Sequence, residues 1–196
     1  MYGFESIKNM ADLQNDLKLL TNEQLAAKVK IGCKDSFSEL VLRLNNRLLS
    51  FLLARTGKFE DAEDLAQETF AKAYKNIKKF NDRWKFTTWI FTIAVRLANS
   101  HYRRRKTAYN IEDIGDFEHK ADGPERIVEK QQQWENIWLL AQKTLSRNQY
   151  QSLWFKYAED FPIKDIAKIL GKSKVNIKVT LFRARNNMAN VLADKI

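Results

Sequence analysis

The sequence predicts an all-α protein made of two small helical domains that are joined by an acidic linker. Only 6 Gly and 2 Pro occur in 196 residues, and apolar residues recur at three- and four-residue spacing over long stretches. This spacing is typical of helices. It stops in residues 107–126, where acidic residues, two glycines and a proline interrupt helix formation. We therefore expect an N-terminal extension at residues 1–20, a first domain at 21–106 and a second domain at 127–196.

Composition narrows the classes of function. A net charge of +10 indicates a polyanionic partner, which is either nucleic acid or an acidic membrane. No apolar run approaches the roughly 20 residues that a membrane span needs, and no secretion signal opens the chain, so we expect a cytoplasmic protein without membrane insertion. Cys33 is the only cysteine and there are 2 His, so no internal disulfide can form and neither a metal site nor a cofactor is expected.

Two helices are predicted at the start of the first domain. Thr21 or Asn22 can cap the first helix, and Gly32 is suited to end it. The second is predicted to begin at Ser36 and to end near Gly57, because apolar residues recur throughout at helical spacing. Both are interpreted as core helices.

The segment from Asp61 to Phe80 has the most regular pattern in the chain. One face is predicted to be buried and consists of Ala62, Leu65, Ala66, Thr69, Phe70, Ala73, Tyr74 and Ile77. The other face carries Asp64, Gln67, Glu68, Ala71, Lys72 and Lys75. Acids lie early and bases late, as the helix dipole favours. The polar face is either simply solvated, or it is an acidic patch that a protein partner uses.

Positive charge is concentrated directly after this helix. Residues 78–106 contain nine Lys or Arg against the single acid Asp82. The aromatic residues among these cations are Trp84, Phe86, Trp89, Phe91 and Tyr102. Cations follow phosphates and rings stack on unpaired bases, so the combination suits single-stranded nucleic acid. A buried aromatic helix with a basic end is the alternative, but it explains neither Trp84 in a polar loop nor the four consecutive cations at 103–106.

The second domain contains a helix-turn-helix pattern. Ser146 is predicted to cap one helix, and Pro162 stands where the next can begin. Gly171 suits a short turn, and Ser173 can cap a further helix that reaches about Asn187. Two short helices around a Gly-containing turn are the signature of this motif. The last helix carries Lys174, Lys178, Arg183 and Arg185, as a recognition helix in a major groove would; a basic packing hairpin is the alternative.

Together these motifs resemble bacterial sigma factors of the sigma-70 class, specifically the extracytoplasmic-function group that has only regions two and four. DAEDLAQETFAKAYKNIKKF (61–80) resembles the region-two helix that binds the clamp helices of core RNA polymerase. FNDRWKFTTWIFTIAVRLANSHYRRRK (80–106) is similar to the part that melts and reads the minus-ten element. LSRNQYQSLWFKYAEDFPIKDIAKILGKSKVNIKVTLFRARNNM (145–188) resembles region four, which binds the minus-35 element as duplex.

The resemblance implies a transcription initiation factor and not an enzyme, because the polymerase does the chemistry. Expected partners are core RNA polymerase, promoter DNA as duplex and as single strand, and an anti-sigma factor. The residues expected to bind polymerase are Asp61, Asp64, Gln67, Glu68 and Lys72. Those expected at the minus-ten element are Asn81, Asp82, Arg83, Trp84, Lys85, Trp89, Arg96, Asn99, Ser100, Arg103, Arg104 and Arg105. Those expected at the minus-35 element are Lys172, Ser173, Lys174, Asn176, Lys178, Val179, Phe182, Arg183 and Arg185.

The sequence departs from the family pattern in two places. In the loop at 81–85, expected to border a flipped base, the family's usual small, acidic residues are replaced by Asp82, Arg83, Trp84 and Lys85, so its base preference cannot be carried over. The family register places Ile177, Leu181, Ala184 and Met188 inward. Val175, Val179 and Phe182 then stand where polar residues are commoner, and they either meet thymine methyls or pack against the domain's other helices.

Two other functions fit parts of the sequence. One is a helix-turn-helix regulator that binds operators without polymerase and uses its first half for dimerisation or sensing. The other is a sigma-like decoy that holds core polymerase without opening promoters. The retention of Trp89 and of the cations at 103–106 argues against a decoy.

Overall fold

The computed structural model describes residues 16–108 and 129–193, and the regular structure in these residues is helical. The N-terminal helices are α1 (Asn22–Lys30), α2 (Lys34–Thr56), α3 (Phe59–Lys75) and α4 (Phe86–Ala108), with a 3-10 turn at Ile77–Lys79. The C-terminal helices are α5 (Glu129–Thr144), α6 (Arg147–Tyr157), α7 (Ile163–Leu170) and α8 (Lys174–Ala193). Residues 16–19 are helical as well. The predicted all-α fold is confirmed.

Parts of the predicted organisation fall outside the described residues. These are residues 1–15 of the expected N-terminal extension, 109–126 of the expected linker, and residues 127–128 and 194–196 of the expected second domain. None of the helices in the described ranges is long and apolar enough to cross a membrane.

Local signals in the sequence begin and end the first helices. The Gln24 N–H donates to Thr21 Oγ1 at 3.2 Å, and the Thr21 N–H donates to Gln24 Oε1 at 2.8 Å. This reciprocal pair satisfies two of the N–H groups left without partners at a helix start. At its far end α2 stops at Gly57, whose φ of 72° is the left-handed conformation that glycine adopts without strain.

The predicted start of α2 was wrong by two residues. The helix begins at Lys34 instead of Ser36. Ser36 is fully buried, and its hydroxyl donates to Cys33 Sγ at 3.2 Å. Ser36 therefore lies inside the first turn, and Cys33 takes the capping position.

The helix predicted from Asp61 to Phe80 is also interrupted. α3 ends at Lys75, and the Asn76 side-chain amide donates to the Lys72 carbonyl at 2.9 Å. Such a side-chain bond to the backbone competes with helix continuation, and the chain turns into the 3-10 segment. Tyr74, predicted to be buried, is 43% exposed; its ring centroid lies 4.9 Å from that of Phe37 on α2, so the ring covers the edge of the core and not its interior.

The helix-turn-helix is formed by α7, a turn and α8. Gly171 in the turn has a φ of 63°, and the Asn176 N–H donates to Ser173 Oγ at 3.1 Å, as expected for a cap. The inward register of α8 is confirmed, since its buried residues are Ile177, Leu181, Ala184 and Met188. α8 continues to Ala193, beyond the predicted end at Asn187, because Met188 extends the buried stripe by another turn.

The N-terminal and C-terminal helices pack against each other, with α4 against α7. Four phenylalanine rings meet between them: Phe51 on α2, Phe91 on α4, Phe155 on α6 and Phe161 before α7. All four are at most 4% exposed. The apolar core therefore continues from one set of helices into the other.

Candidate polymerase and nucleic-acid interfaces

The outer face of α3 carries the acidic cluster. Asp64 and Gln67 are exposed, and Glu68 forms an ion pair with Lys72 at 2.8 Å. An exposed pair of this kind contributes about 0.3–0.5 kcal/mol, so the charges do little for the stability of the fold. They are available to a partner.

Asp61 stands at the edge of this face and connects it to the end of α4. Its carboxylate lies 3.1 Å from Arg105 Nη1 and 3.9 Å from His101 Nε2. The acidic face of α3 and the basic end of α4 are therefore adjacent surfaces of one body.

The basic strip runs along α4. Its exposed cations are Arg96, Arg103, Arg104 and Arg105; the side chain of Lys106 lies outside the described residues. Asn99 and Ser100 are partly buried. The Asn99 Oδ1 accepts a hydrogen bond from the Arg55 guanidinium on α2. Arg96 and Arg103 are seven residues apart and so lie on one face of α4, where exposed guanidinium groups suit a phosphate backbone.

The loop at residues 81–85 leads into this strip and is held in a defined turn. The backbone N–H of Arg83 donates to Asn81 Oδ1 at 2.9 Å, and that of Trp84 donates to the Asn81 carbonyl at 3.1 Å. Asp82 forms an ion pair with Lys30 of α1 at 2.7 Å. These contacts leave the side chains of Arg83 and Lys85 exposed.

The two tryptophans of this region have different surroundings. Trp89 packs in an aromatic group, with ring centroids 5.4 Å from Phe80 and 5.6 Å from Phe86. Trp84 is partly buried, and the Lys168 Nζ of α7 lies 3.2 Å from its ring centroid. Trp84 therefore contacts Lys168 of α7 and is not among the residues of the buried core.

The outer face of α8 combines cations with apolar side chains. All of the residues predicted to bind the minus-35 element are exposed: Lys172, Ser173, Lys174, Asn176, Lys178, Val179, Phe182, Arg183 and Arg185. Val175, Val179 and Phe182 are 71%, 43% and 57% exposed. These three residues are therefore not buried against the helices that the structure describes.

Three cations that contact the strip and the loop were missed by the sequence analysis. They are Arg55, Arg147 and Lys168. The guanidinium carbon of Arg147 lies 3.6 Å from the centroid of the Tyr102 ring. In sequence each is a cation in an ordinary amphipathic helix, and no local pattern pairs it with a residue far along the chain.

Family models match both halves of the chain. The model of sigma-70 region 2 matches residues 40–108, and that of sigma-70 region 4 matches residues 138–188. The RNA polymerase sigma factor YlaC of Bacillus subtilis is 32% identical over 158 residues, which cover 78% of this chain and 89% of YlaC. The chain belongs to the sigma-70 family of RNA polymerase sigma factors.

A further relative places this sigma factor in the extracytoplasmic-function group, and a solved structure has a similar fold. The group member SigM of Bacillus subtilis is 30% identical over 156 residues, which cover 78% of this chain and 93% of SigM. The sigma factor RpoE of Bartonella quintana, solved with the anti-sigma factor NepR, has a TM-score of 0.62 and 25% identity. That match covers 80% of this chain and 96% of RpoE. The sigma factor thus binds core RNA polymerase and directs promoter-specific initiation, and it is not an enzyme.

Proposed function

We propose that this sigma factor uses three surfaces, which bind core polymerase, the single-stranded minus-ten element and the minus-35 duplex. The observation that carries the proposal is the 3.1 Å ion pair between Asp61 and Arg105. It joins the acidic face of α3 to the basic strip of α4. A protein bound to the acidic face therefore lies beside the strip, and a polymerase there brings the melted strand next to the cations and rings.

The polymerase-binding surface that we propose is the outer face of α3. Its residues are Asp61, Asp64, Gln67, Glu68 and Lys72. Complementary charge orients a partner and speeds its association. The same acids repel phosphates, so the patch directs DNA away from this face in a protein whose net charge is +10.

We assign the minus-ten element to the 81–85 loop and the basic strip. The proposed residues are Asn81, Asp82, Arg83, Trp84, Lys85, Trp89, Arg96, Asn99, Ser100, Arg103, Arg104 and Arg105. The Trp84 ring offers a platform for an unpaired base, and such stacking contributes about 1–3 kcal/mol. Arg83 and Lys85 flank the ring, where they can follow the strand's phosphates.

We assign the minus-35 element to the outer face of α8. The exposed cations of this face are suited to contact phosphates, which fix the position of a helix on DNA. Val175, Val179 and Phe182 follow one another at helical spacing on the exposed surface. Apolar side chains in a major groove recognise thymine through its methyl group, so we expect this strip to favour thymine.

We further propose that the protein acts in the cytoplasm together with polymerase, and that an anti-sigma factor controls it. The likeness to RpoE, which was solved in complex with NepR, supports the second statement. The proposed domains span residues 21–106 and 127–196, with a linker at 107–126; the family matches at 40–108 and 138–188 support this division.

Run-off transcription tests the proposal most directly. Purified core polymerase is given a fragmented genomic library with and without the sigma factor. We expect specific transcripts only when the protein is added. Sequence-specific DNA binding without transcripts would instead favour a regulator that acts without polymerase, and polymerase binding without transcripts would favour a decoy.

A further inference from the structure

The loop at residues 81–85 is attached to α1 at both of its ends. α1 packs against the 3-10 turn that precedes the loop and against α4, which follows it. Leu25, Ala26 and Val29 of α1 are at most 5% exposed, so the helix is firmly seated in the core of the N-terminal helices. A side chain of α1 that reaches the loop therefore starts from a fixed position.

Lys30 of α1 holds the start of the loop. Its Nζ lies 2.7 Å from Asp82 Oδ1 and 5.2 Å from the ring centroid of Phe80. The Phe80 ring is only 3% exposed, whereas the Asp82 side chain is 64% exposed. An ion pair that is open to solvent contributes little to stability. Its main consequence is positional, because it links a loop residue to a helix residue 52 positions earlier in the chain.

Glu23 of α1 holds the end of the loop. Its Oε1 accepts a hydrogen bond at 2.8 Å from the backbone N–H of Phe86, the first residue of α4. The first N–H groups of a helix have no partner within the helix, and a Ser, Thr, Asp or Asn directly before the helix commonly supplies an acceptor. Lys85 occupies that position here, and its side chain has no acceptor. α4 therefore takes an acceptor from α1, and a carboxylate suits the positive end of the α4 dipole.

Between these two attachments the loop makes a turn on Asn81. The Asn81 side chain and carbonyl accept from the N–H groups of Arg83 and Trp84, so the backbone under the exposed side chains of Arg83 and Lys85 is fixed. Phosphate contacts position a protein on DNA, whereas base contacts carry the sequence information. A long cation still reaches a phosphate when its backbone shifts, but a hydrogen bond to a base edge weakens steeply with misalignment. The attachments therefore matter more for base discrimination than for affinity.

We propose that α1 sets the base preference of the 81–85 loop, with Lys30 and Glu23 acting as positioning residues for the minus-ten element. The proposal rests on the assignment of that loop to the minus-ten strand. Neither residue needs to touch the strand. Lys30 also offsets the charge of Asp82, which otherwise repels the phosphates of the strand. Loss of either attachment frees one end of the loop, so base preference weakens while the basic strip keeps its phosphate contacts.

Selection from a randomised promoter tests the proposal in the holoenzyme. The template is a promoter that the protein transcribes in the run-off experiment, with randomised minus-ten positions and a barcode in the transcribed region. Core polymerase is combined with the full-length wild type or a variant, and sequencing of the barcodes gives the base preference at each position. Lys30→Met and Glu23→Ala remove an attachment, whereas Lys30→Arg and Glu23→Gln keep it. Lys28→Met is the matched control, because it removes the same charge from an exposed position of α1.

We expect Lys30→Met and Glu23→Ala to flatten the preference at the positions that the loop reads. A well-aligned base contact discriminates by about tenfold, and this ratio should fall to about threefold or less. Lys30→Arg, Glu23→Gln and Lys28→Met should keep the wild-type preference. The unfolding temperature of free Lys30→Met should match that of the wild type, because the lost ion pair is open to solvent. A flattened preference in that variant is then not a consequence of unfolding.

Several results would overturn the proposal. These are a wild-type preference in Lys30→Met or in Glu23→Ala, equal flattening by Lys28→Met, or a Lys30→Arg variant that behaves like Lys30→Met. Arg83→Ala and Trp84→Ala, included in the same selection, separate this inference from the proposed function. If these loop variants change the preference and the α1 variants do not, only the inference fails. If the loop variants keep the wild-type preference, the assignment of the loop to the minus-ten strand is wrong, and the inference fails with it.

Discussion

Replacing thymine by deoxyuridine in the minus-35 duplex tests the assignment of α8 while the protein stays unchanged. Deoxyuridine keeps base pairing and charge and removes only the 5-methyl group. Val175, Val179 and Phe182 present apolar surface that is 71%, 43% and 57% exposed. If these side chains cover thymine methyls, the substitution removes apolar contact and nothing else.

The expected loss of binding free energy follows from the apolar surface that these side chains can cover. Burial of one methyl-sized group contributes about 0.8 kcal/mol, which is about a fourfold change in Kd. If each side chain contacts the methyl group of one thymine, replacing the three contacted thymines should cost about 2.4 kcal/mol, or roughly 60-fold in Kd. Val179 has the least exposed surface of the three, so its thymine should give the smallest effect.

Fluorescence anisotropy with a duplex selected from random sequence by the full protein measures these changes. Each thymine is replaced singly and then in combination. In Phe182→Ala, replacing thymine by deoxyuridine should no longer change Kd at one position, because the side chain that contacts the methyl group of that base has been removed. The effects at the other positions should be unchanged. Arg183→Ala is the matched control, since loss of a cation should weaken thymine and deoxyuridine duplexes equally. Equal binding of the two duplexes at every position would refute the methyl contacts.

Three further predictions concern the other surfaces. Asp64→Lys combined with Glu68→Lys should abolish co-purification with core polymerase. The circular dichroism spectrum should remain that of a helical protein, because both side chains reach solvent and the lost Glu68–Lys72 pair contributes only about 0.3–0.5 kcal/mol to stability. Retained co-purification would contradict the assignment of this face. Lys178→Ala should weaken binding to all duplexes and lower the magnitude of the slope of log K against log salt concentration by roughly one. An unchanged slope would show that Lys178 does not contact a phosphate. Trp84→Ala should reduce permanganate reactivity of promoter thymines while polymerase binding stays normal; wild-type reactivity, or a lower unfolding temperature of the free variant, would assign Trp84 a structural role.

Several features of this sigma factor could be predicted from the sequence because they depend on residues close together in the chain. The Thr21 cap, the stop at Gly57 and the turn at Gly171 are local backbone requirements, and the structure confirms them. The inward register of α8 follows from helical periodicity alone. The break at Asn76 was also local, but one amide bond to the Lys72 carbonyl outweighed an otherwise continuous apolar pattern.

Only the tertiary structure decided which surfaces remain free. Periodicity shows that a residue lies at the edge of an apolar stripe, but it does not show whether another helix reaches that edge. Tyr74 and Phe182 therefore proved exposed. The contact of Lys168 with Trp84 and that of Arg55 with Asn99 join residues far apart in sequence. The first pairing depends on how the two sets of helices dock, and the second on how α2 packs against α4; neither packing is determined by a local segment.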